Sequence, residues 1–219
     1  MNWIYNFQLF LLDFDGLLVD TEELQFAAYV RMCRNRGYEL NWSFEKFCSI
    51  AHKSSTGMKE AIYRTFPELE KEEPDWSCLH REKKAAYLQL LSESSPRLMP
   101  SVAPFLEALQ KAGIKRCVVT NSPYDQVCLI KRSIPLLQTI PLWITRELYD
   151  LPKPAPDAYR KAVALLAEDG DQVIGFEDSL RGLQALQDAG VRGVLISPQE
   201  EAVPVPQFRS FAEILHLGI

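Results

Sequence analysis

Two acidic residues follow an apolar tetrapeptide near the start of this 219-residue chain. The run Leu9–Leu12 is apolar throughout, which is typical of a central parallel strand buried on both faces. Asp13 and Asp15 come next, and Gly16 lets the backbone turn away and leave both acids at the strand's carboxyl end. Open α/β sheets bind ligands there, and a hard divalent cation would relieve the repulsion between the carboxylates. The tetrapeptide alone equally fits a loop with two solvated acids.

Composition excludes several classes of protein. A net charge of −5 without a Lys/Arg cluster argues against nucleic-acid binding, and no apolar run is long enough to span a membrane. The first residues lack the basic segment and cleavage site of a signal peptide. The cysteines are odd in number and contain no C-x-x-C pair, which fits a reducing compartment. We therefore expect a cytoplasmic monomer that binds neither nucleic acid nor membrane.

The segment after the first strand is predicted to be entirely helical. From Thr21 onward, apolar residues recur at helical spacing, and no convincing strand occurs until about residue 93. A polar, proline-terminated stretch, Ser92–Pro96, then indicates a linker. The helical stripes in this insertion are centred on Phe44–Ile50, Met58–Phe66 and Trp76–Leu91.

The remainder alternates between strand and helix patterns. Strands are predicted at Lys115–Thr120, Leu142–Ile144, Val173–Phe176 and Gly193–Ile196. Helices are predicted at Val102–Ala112, Tyr124–Ser133, Pro156–Ala167 and Ser179–Ala189. This alternation predicts an α/β fold with a Rossmann-like, doubly wound parallel sheet that incorporates the first strand. The core domain would comprise residues 1–21 and 94–219, and a smaller all-α domain would comprise residues 22–93.

Two polar segments follow or connect strands of the second half. Thr120-Asn121-Ser122 ends one strand with hydroxyl and amide groups that can bind phosphate oxygens, although such residues are also ordinary in turns. Lys153 lies among three prolines, at positions 152, 154 and 156, which restrict the backbone around it. A lysine in so rigid a loop is a candidate for pairing with a phosphate or carboxylate.

A second acidic pair, Glu177-Asp178, follows the strand that begins at Val173. Either Asp178 or Ser179 could cap the next helix, but a cap needs only one of them. The carboxyl ends of parallel strands share one edge of a sheet, so all these segments should converge. The convergence predicts acids for a metal and donors for an anion in one site, formed by Asp13, Asp15, Thr120, Lys153 and Asp178.

These segments, taken in order, resemble the four motifs of the haloacid dehalogenase superfamily of aspartate-nucleophile hydrolases. The first motif is the stretch from Asp13 to Thr21, the second is Thr120 to Ser122, the third is Lys153-Pro154, and the fourth is Glu177 to Ser179 followed by Gly182. The helical insertion is similar to the α-helical cap of the β-phosphoglucomutase and phosphoglycolate phosphatase branch. The resemblance covers essentially the whole chain.

The resemblance implies roles for the acids. Asp13 would attack a phosphoryl group and form an aspartyl-phosphate, and Asp15 would protonate the leaving oxygen and later deprotonate water. Mg²⁺ would be held by Asp13, the backbone carbonyl of Asp15 and Asp178, with Glu177 as a further ligand or an indirect neighbour. The metal would offset the repulsion between carboxylate and phosphate.

The resemblance also implies how the substrate is held. Thr120, the backbone N–H of Asn121 and Lys153 would bind the phosphoryl oxygens. The dehalogenases of the superfamily lack an acid two positions after the nucleophile, so Asp15 favours phosphoryl transfer. The implied activity is Mg²⁺-dependent hydrolysis of a small phosphorylated metabolite.

Two alternatives remain open. The first is a sugar-phosphate mutase, in which a cap histidine and a glycine–arginine loop serve the second phosphate. Here Gln25 stands at the histidine position, and the loop from Ala51 to Ser55 has neither glycine nor arginine, which favours a phosphatase. His52 or Lys53 of that loop could still contact a substrate anion, but each is more simply a solvated residue. The second alternative is a catalytically idle binding or regulatory protein.

Overall fold

The computed structural model describes residues 2–51, 56–94 and 96–217, so the cap-loop residues His52 and Lys53 lie outside the described residues. The chain forms two compact units. The core unit comprises the residues up to Asp20 and those from Arg97 onward, and the cap unit comprises Thr21–Pro96. None of the helices in the described ranges is long and apolar enough to span a membrane.

The core unit is built on a six-stranded sheet in which all strand pairs are parallel. Its strands are β1 (Leu9–Leu12), β4 (Lys115–Val119), β5 (Leu142–Ile144), β6 (Val173–Glu177), β7 (Arg192–Ile196) and β8 (Gln207–Phe208). The order is β5-β4-β1-β6-β7-β8, which places the first strand in the centre of a sheet made mostly from the second half. The predicted α/β fold is confirmed. A short antiparallel ribbon pairs β2 (Val19–Asp20) with β3 (Arg97–Leu98).

Helices account for the cap unit and for both faces of the core sheet. The cap helices are α1 (Glu22–Asn35), α2 (Phe44–Ala51), α3 (Gly57–Thr65), α4 (Pro67–Glu72) and α5 (Trp76–Glu93). The core helices are α6 (Val102–Lys111), α7 (Tyr124–Ser133), α8 (Asp157–Leu166), α9 (Leu180–Asp188) and α10 (Phe211–Leu217).

Alternate side chains of β1 enter two different layers of the core. Leu9 and Leu11 pack in a cluster with Tyr159 of α8 and Leu186 of α9. Phe10 points to the other face, where its ring stacks on Phe176 at a centroid distance of 5.9 Å. Helices therefore cover both faces of the sheet, and the fully apolar run of β1 follows from its burial on both sides.

The sequence interpretation missed the shortest elements. Helix α4 lies between the predicted stripes Met58–Phe66 and Trp76–Leu91, and Pro67 is its first residue, a position where a proline costs no hydrogen bond. The two-residue strands β2, β3 and β8 carry too little pattern to be recognised. Helix α5 continues to Glu93, so the predicted linker begins two residues too early.

The cap unit has its own apolar core. Met32, Phe47, Ile62 and Leu79 belong to one cluster contributed by α1, α2, α3 and α5. The ammonium of Lys83 on α5 is buried, donates a hydrogen bond to the side-chain carbonyl of Gln25 on α1, and lies 5.0 and 5.1 Å from the ring centroids of Tyr29 and Tyr87. The cation therefore joins α1 to α5 by hydrogen bonding and by cation–π contacts.

Candidate active site

The turn after β1 places the first acidic pair at the carboxyl edge of the sheet. Gly16 has a φ of 81°, a left-handed conformation that suits glycine. The backbone N–H groups of Leu18 and Val19 both donate to the carbonyl of Phe14, at 3.0 and 3.1 Å. This compact turn ends the strand and leaves Asp13 buried, with 8% of its surface exposed.

Lys153 lies at the centre of the site. Its ammonium donates to Asp13 Oδ1 at 2.5 Å, to Glu177 Oε1 at 2.6 Å and to the carbonyl of Val119 at 2.7 Å. An ammonium has three N–H donors, and these contacts use all of them. Lys153 thus binds two buried carboxylates and the end of β4, and a contact with a substrate oxygen would replace one of these bonds.

Glu177 is anchored by α8 and α9 as well as by Lys153. The hydroxyl of Tyr159 on α8 donates to Glu177 Oε1, and the Lys153 ammonium lies 4.7 Å from the centre of the Tyr159 ring. On α9, a Cβ at Gly182 would overlap with the carboxylate of Glu177. A glycine at this position is therefore what leaves room for the carboxylate.

Burial and neighbouring charges set the protonation of this network. Burial alone would lower the pKa of Lys153, but the charges and hydrogen bonds of Asp13 and Glu177 outweigh it and raise this pKa. Burial, together with the charges of Glu177 and Asp13, raises the pKa of Tyr159 well above its usual value. Lys153 is therefore a cation, and the Tyr159 hydroxyl keeps the proton that it donates. Burial and the charge of Asp13 raise the pKa of Glu177, against the opposing effect of Lys153.

The acidic residues after β1 and β6 meet in one cluster. Asp13, Glu177 and Asp178 each offer one carboxylate oxygen, and these oxygens lie within 4.8 Å of one another. Asp13 and Glu177 are buried and Asp178 is half-buried. A set of carboxylate oxygens this close together fits a hard divalent cation such as Mg²⁺. Glu177 Oε1 already accepts two hydrogen bonds. If Glu177 is a metal ligand, the coordinating atom would therefore be Oε2.

The helix cap after β6 is provided by Ser179. Its side-chain oxygen accepts a hydrogen bond from the backbone N–H of Gly182 at 3.1 Å. Of the two capping residues considered from the sequence, Ser179 is the one used. Asp178 is therefore not required as a cap, and it contributes to the acidic cluster instead.

The loop after β4 holds Asp15 by hydroxyl groups. Ser122 Oγ donates to Asp15 Oδ2 at 2.6 Å, and Thr120 Oγ1 contacts the same oxygen at 3.4 Å. Thr120 Oγ1 also accepts the backbone N–H of Ser122 at 2.9 Å. The predicted phosphate-binding threonine and the predicted acid–base residue are therefore neighbours.

The side chain of Asn121 connects the second motif to the third. Its Oδ1 accepts the backbone N–H of Lys153 at 3.1 Å and the hydroxyl of Tyr149 at 2.8 Å. The Tyr149 oxygen also lies 2.8 Å from the carbonyl of Thr120, and burial raises the pKa of Tyr149 to about 12. The Asn121 side chain is thus engaged within the protein, and phosphate binding by its backbone N–H stays a prediction.

The structure brings the predicted site residues to one sheet edge and adds residues that the sequence interpretation did not assign. Direct contacts join Asp13 to Lys153, and Asp15 to Thr120. Ser122 was quoted only as part of a motif, although its position two residues after Thr120 hinted at a role. Tyr149 and Tyr159 carried no sequence signal, because their function depends on tertiary contacts.

The comparison with protein families identifies the chain. The family model of haloacid dehalogenase-like hydrolases matches residues 10–196, a span that runs from β1 to β7. The chain belongs to this family. The matched span includes all four motif segments and the residues of the acidic cluster.

Relatives within the hydrolase family extend over most of the chain. "Protein CbbY" of Cereibacter sphaeroides is 30% identical over 194 residues, covering 86% of this chain and 83% of that protein. A "Phosphorylated carbohydrates phosphatase" of Thermotoga maritima is 25% identical, covering 84% of this chain and 82% of that protein. The crystal structure of CbbY from Rhodobacter sphaeroides in complex with phosphate has a TM-score of 0.77, with 26% identity over 95% of this chain and 96% of that one.

Proposed function

We propose that this protein is a Mg²⁺-dependent phosphatase that hydrolyses a small phosphorylated sugar through an aspartyl-phosphate intermediate. The observation that carries the proposal is the position of Asp13. It is bound to the buried Lys153 ammonium at 2.5 Å and belongs to the acidic cluster with Glu177 and Asp178. A carboxylate so placed can be oriented by one cation and shielded from phosphate repulsion by another.

In the first half of the reaction, a carboxylate oxygen of Asp13 attacks phosphorus and the bond between phosphorus and the leaving oxygen breaks. Asp15 gives its proton to the departing alkoxide. Thr120, the Asn121 backbone N–H and Lys153 hold the phosphoryl oxygens, with Lys153 exchanging one of its present contacts. A bound Mg²⁺, held by Asp13, Asp178 and the Asp15 carbonyl, would supply positive charge to the phosphoryl group.

In the second half, water attacks phosphorus and the bond to Asp13 breaks. Asp15, now ionised, takes the proton from the water, and inorganic phosphate and the Asp13 carboxylate are released. One residue thus acts as acid and then as base. This double role requires its carboxyl group to stay near the same oxygen position in both halves.

The proposed substrate class rests on two considerations. The relative from Thermotoga maritima bears the name of a phosphatase of phosphorylated carbohydrates. Gln25 is held by the Lys83 ammonium, and an amide does not transfer protons near neutral pH as a histidine does. We therefore favour water as the phosphoryl acceptor over a second sugar hydroxyl.

The test is a panel of hexose and pentose monophosphates together with p-nitrophenyl phosphate. Phosphate release is measured with Mg²⁺ and after chelation, with the D13N variant as the blank. We expect Mg²⁺-dependent release that needs no sugar bisphosphate as activator. Faster interconversion of hexose 1- and 6-phosphates than phosphate release would replace the proposal with the mutase. Turnover no greater than that of D13N on every ester would favour the idle protein.

A further inference from the structure

The Asp15 carboxyl group accepts a short hydrogen bond from a hydroxyl that none of the proposed steps uses. The 2.6 Å distance from Ser122 Oγ to Asp15 Oδ2 lies in the normal range for an O–H···O hydrogen bond. The 3.4 Å distance from Thr120 Oγ1 to the same oxygen is much weaker. The two hydroxyls are therefore not equivalent, and of the two Ser122 makes the stronger hydrogen bond with Asp15.

The backbone of Ser122 is fixed on both sides. Its N–H donates to Thr120 Oγ1 at 2.9 Å, and its carbonyl accepts the backbone N–H of Arg146 at 3.1 Å. Pro123, which follows, has a φ of −71° and precedes the first residue of α7. With the backbone so constrained, the Ser122 hydroxyl depends on little more than one side-chain torsion for its position.

We propose that Ser122 is a positioning residue that holds Asp15 in the orientation needed for proton transfer to and from the reacting oxygen. This inference rests on the proposed function, in which Asp15 is the acid and base. The hydrogen bond is compatible with both protonation states, because Oδ2 can accept from Ser122 whether or not the other carboxyl oxygen carries a proton. Thr120 can then turn its hydroxyl to the phosphoryl group while Asp15 stays in place.

The role predicts a dependence on the leaving group. An alkoxide must be protonated as it departs, whereas p-nitrophenolate is stable enough to leave with little help. The ratio kcat/KM covers the steps up to departure of the leaving group, so it excludes the later deprotonation of water by Asp15, which is common to both esters. In kcat/KM, a residue that positions the acid therefore matters for alkyl esters and matters little for the activated aryl ester. A residue that binds the phosphoryl group would affect both esters alike.

The experiment compares S122A and S122T with the wild type on p-nitrophenyl phosphate and on the best alkyl monophosphate of the panel. For S122A we expect kcat/KM on the alkyl ester to fall by about 10- to 100-fold and kcat/KM on the aryl ester by less than about threefold. S122T keeps a hydroxyl and should regain most of the alkyl activity. S133A is the matched control, because Ser133 also donates through Oγ, to the Ile130 carbonyl at 2.8 Å, but lies at the end of α7.

Three results would overturn the assignment. One is an equal loss of kcat/KM on both esters in S122A, and another is a raised KM with unchanged kcat on the alkyl ester, which would indicate substrate binding by Ser122. The third result comes from the double variant. Once Asp15 cannot transfer protons, the S122A substitution should not lower the rate of hydrolysis any further. A D15N/S122A protein that hydrolyses the alkyl ester more slowly than D15N would therefore contradict a positioning role. A wild-type protein that hydrolyses neither ester would reject the proposed function, and this assignment with it.

Discussion

At the scale of single residues, the buried Lys153 connects two of the acids at the site. The sequence pattern made it a candidate for pairing with a phosphate or a carboxylate, and its three N–H groups bind the carboxylates of Asp13 and Glu177 and the Val119 carbonyl. Two buried carboxylates would be costly without this cation. Lys153 therefore holds Asp13, the proposed nucleophile, in place and gives the site a defined geometry.

Replacement of Asp13 by asparagine should abolish phosphate release and leave the fold intact. The amide is nearly isosteric but is not a nucleophile, and Lys153 keeps its bonds to Glu177 and Val119. We expect turnover of p-nitrophenyl phosphate to fall by at least about a thousandfold, with an unchanged far-ultraviolet circular dichroism spectrum. D169N, at an exposed position on the same unit, is the control. Activity of D13N within about tenfold of wild type would remove Asp13 from the nucleophile role.

At the scale of elements, α8 and α9 contact the site through Glu177. Tyr159 of α8 donates to Glu177, and Gly182 of α9 leaves the space into which the Glu177 carboxylate fits. The contacts of these helices with Glu177, the last residue of β6, thus decide where the carboxylate lies. A substitution in either helix beside Glu177 should therefore affect the chemistry.

The variant G182A tests this point. In an exposed helix, alanine would be favoured over glycine by about 1 kcal/mol. Here the new methyl group would meet a carboxylate that is fixed by Lys153 and Tyr159, so we expect the free energy of unfolding to fall by about 1–3 kcal/mol. Displacement of Glu177 should also lower phosphate release by more than about tenfold. Urea unfolding and steady-state kinetics measure the two effects.

The matched control for G182A is Q187A, which introduces alanine at an exposed position of the same helix. It should change the free energy of unfolding by no more than about 0.5 kcal/mol. If G182A proved as stable and as active as Q187A, the space beside Glu177 would have no functional importance.

At the scale of the whole molecule, folding brings together acids that are far apart in sequence. Asp13 follows the first strand and Asp178 follows the sixth, and only the parallel pairing of β1 with β6 makes them neighbours. In the unfolded chain these carboxylates are separate and have little affinity for a divalent ion. A metal that needs both should therefore bind the folded state selectively and stabilise it.

Mg²⁺ should raise the midpoint of thermal unfolding in a saturable manner. A ligand present at 100 times its dissociation constant stabilises the folded state by about 2.7 kcal/mol. D178N, which lacks one charged member of the cluster, should lose most of the Mg²⁺-dependent shift. Differential scanning fluorimetry across a Mg²⁺ titration, with NaCl matched for ionic strength, measures it. The same shift in D178N and wild type would place the bound metal elsewhere.

Local patterns in the sequence were sufficient to predict most of the regular elements that build the sheet. The apolar run of β1, the glycine turn after it and the helix Tyr124–Ser133 agree with the structure at their predicted positions. These features depend on hydrophobic periodicity and on the conformational freedom of glycine, both of which act within a few residues. The same patterns, with parallel pairing, also placed the polar segments on one edge.

Tertiary structure alone decided how the polar groups at that edge are connected. Lys153 and Asp13 are 140 residues apart, and neither residue's neighbours indicate that the lysine binds the aspartate. Ser122 and Asp15, and likewise Tyr159 and Glu177, become partners only when strands and helices pack. Strands β2, β3 and β8, of two residues each, exist only through their pairing. The sequence therefore determined the sheet and its acidic edge, while packing determined which donor holds each acid, because hydrogen bonds depend on distance in space and not on separation along the chain.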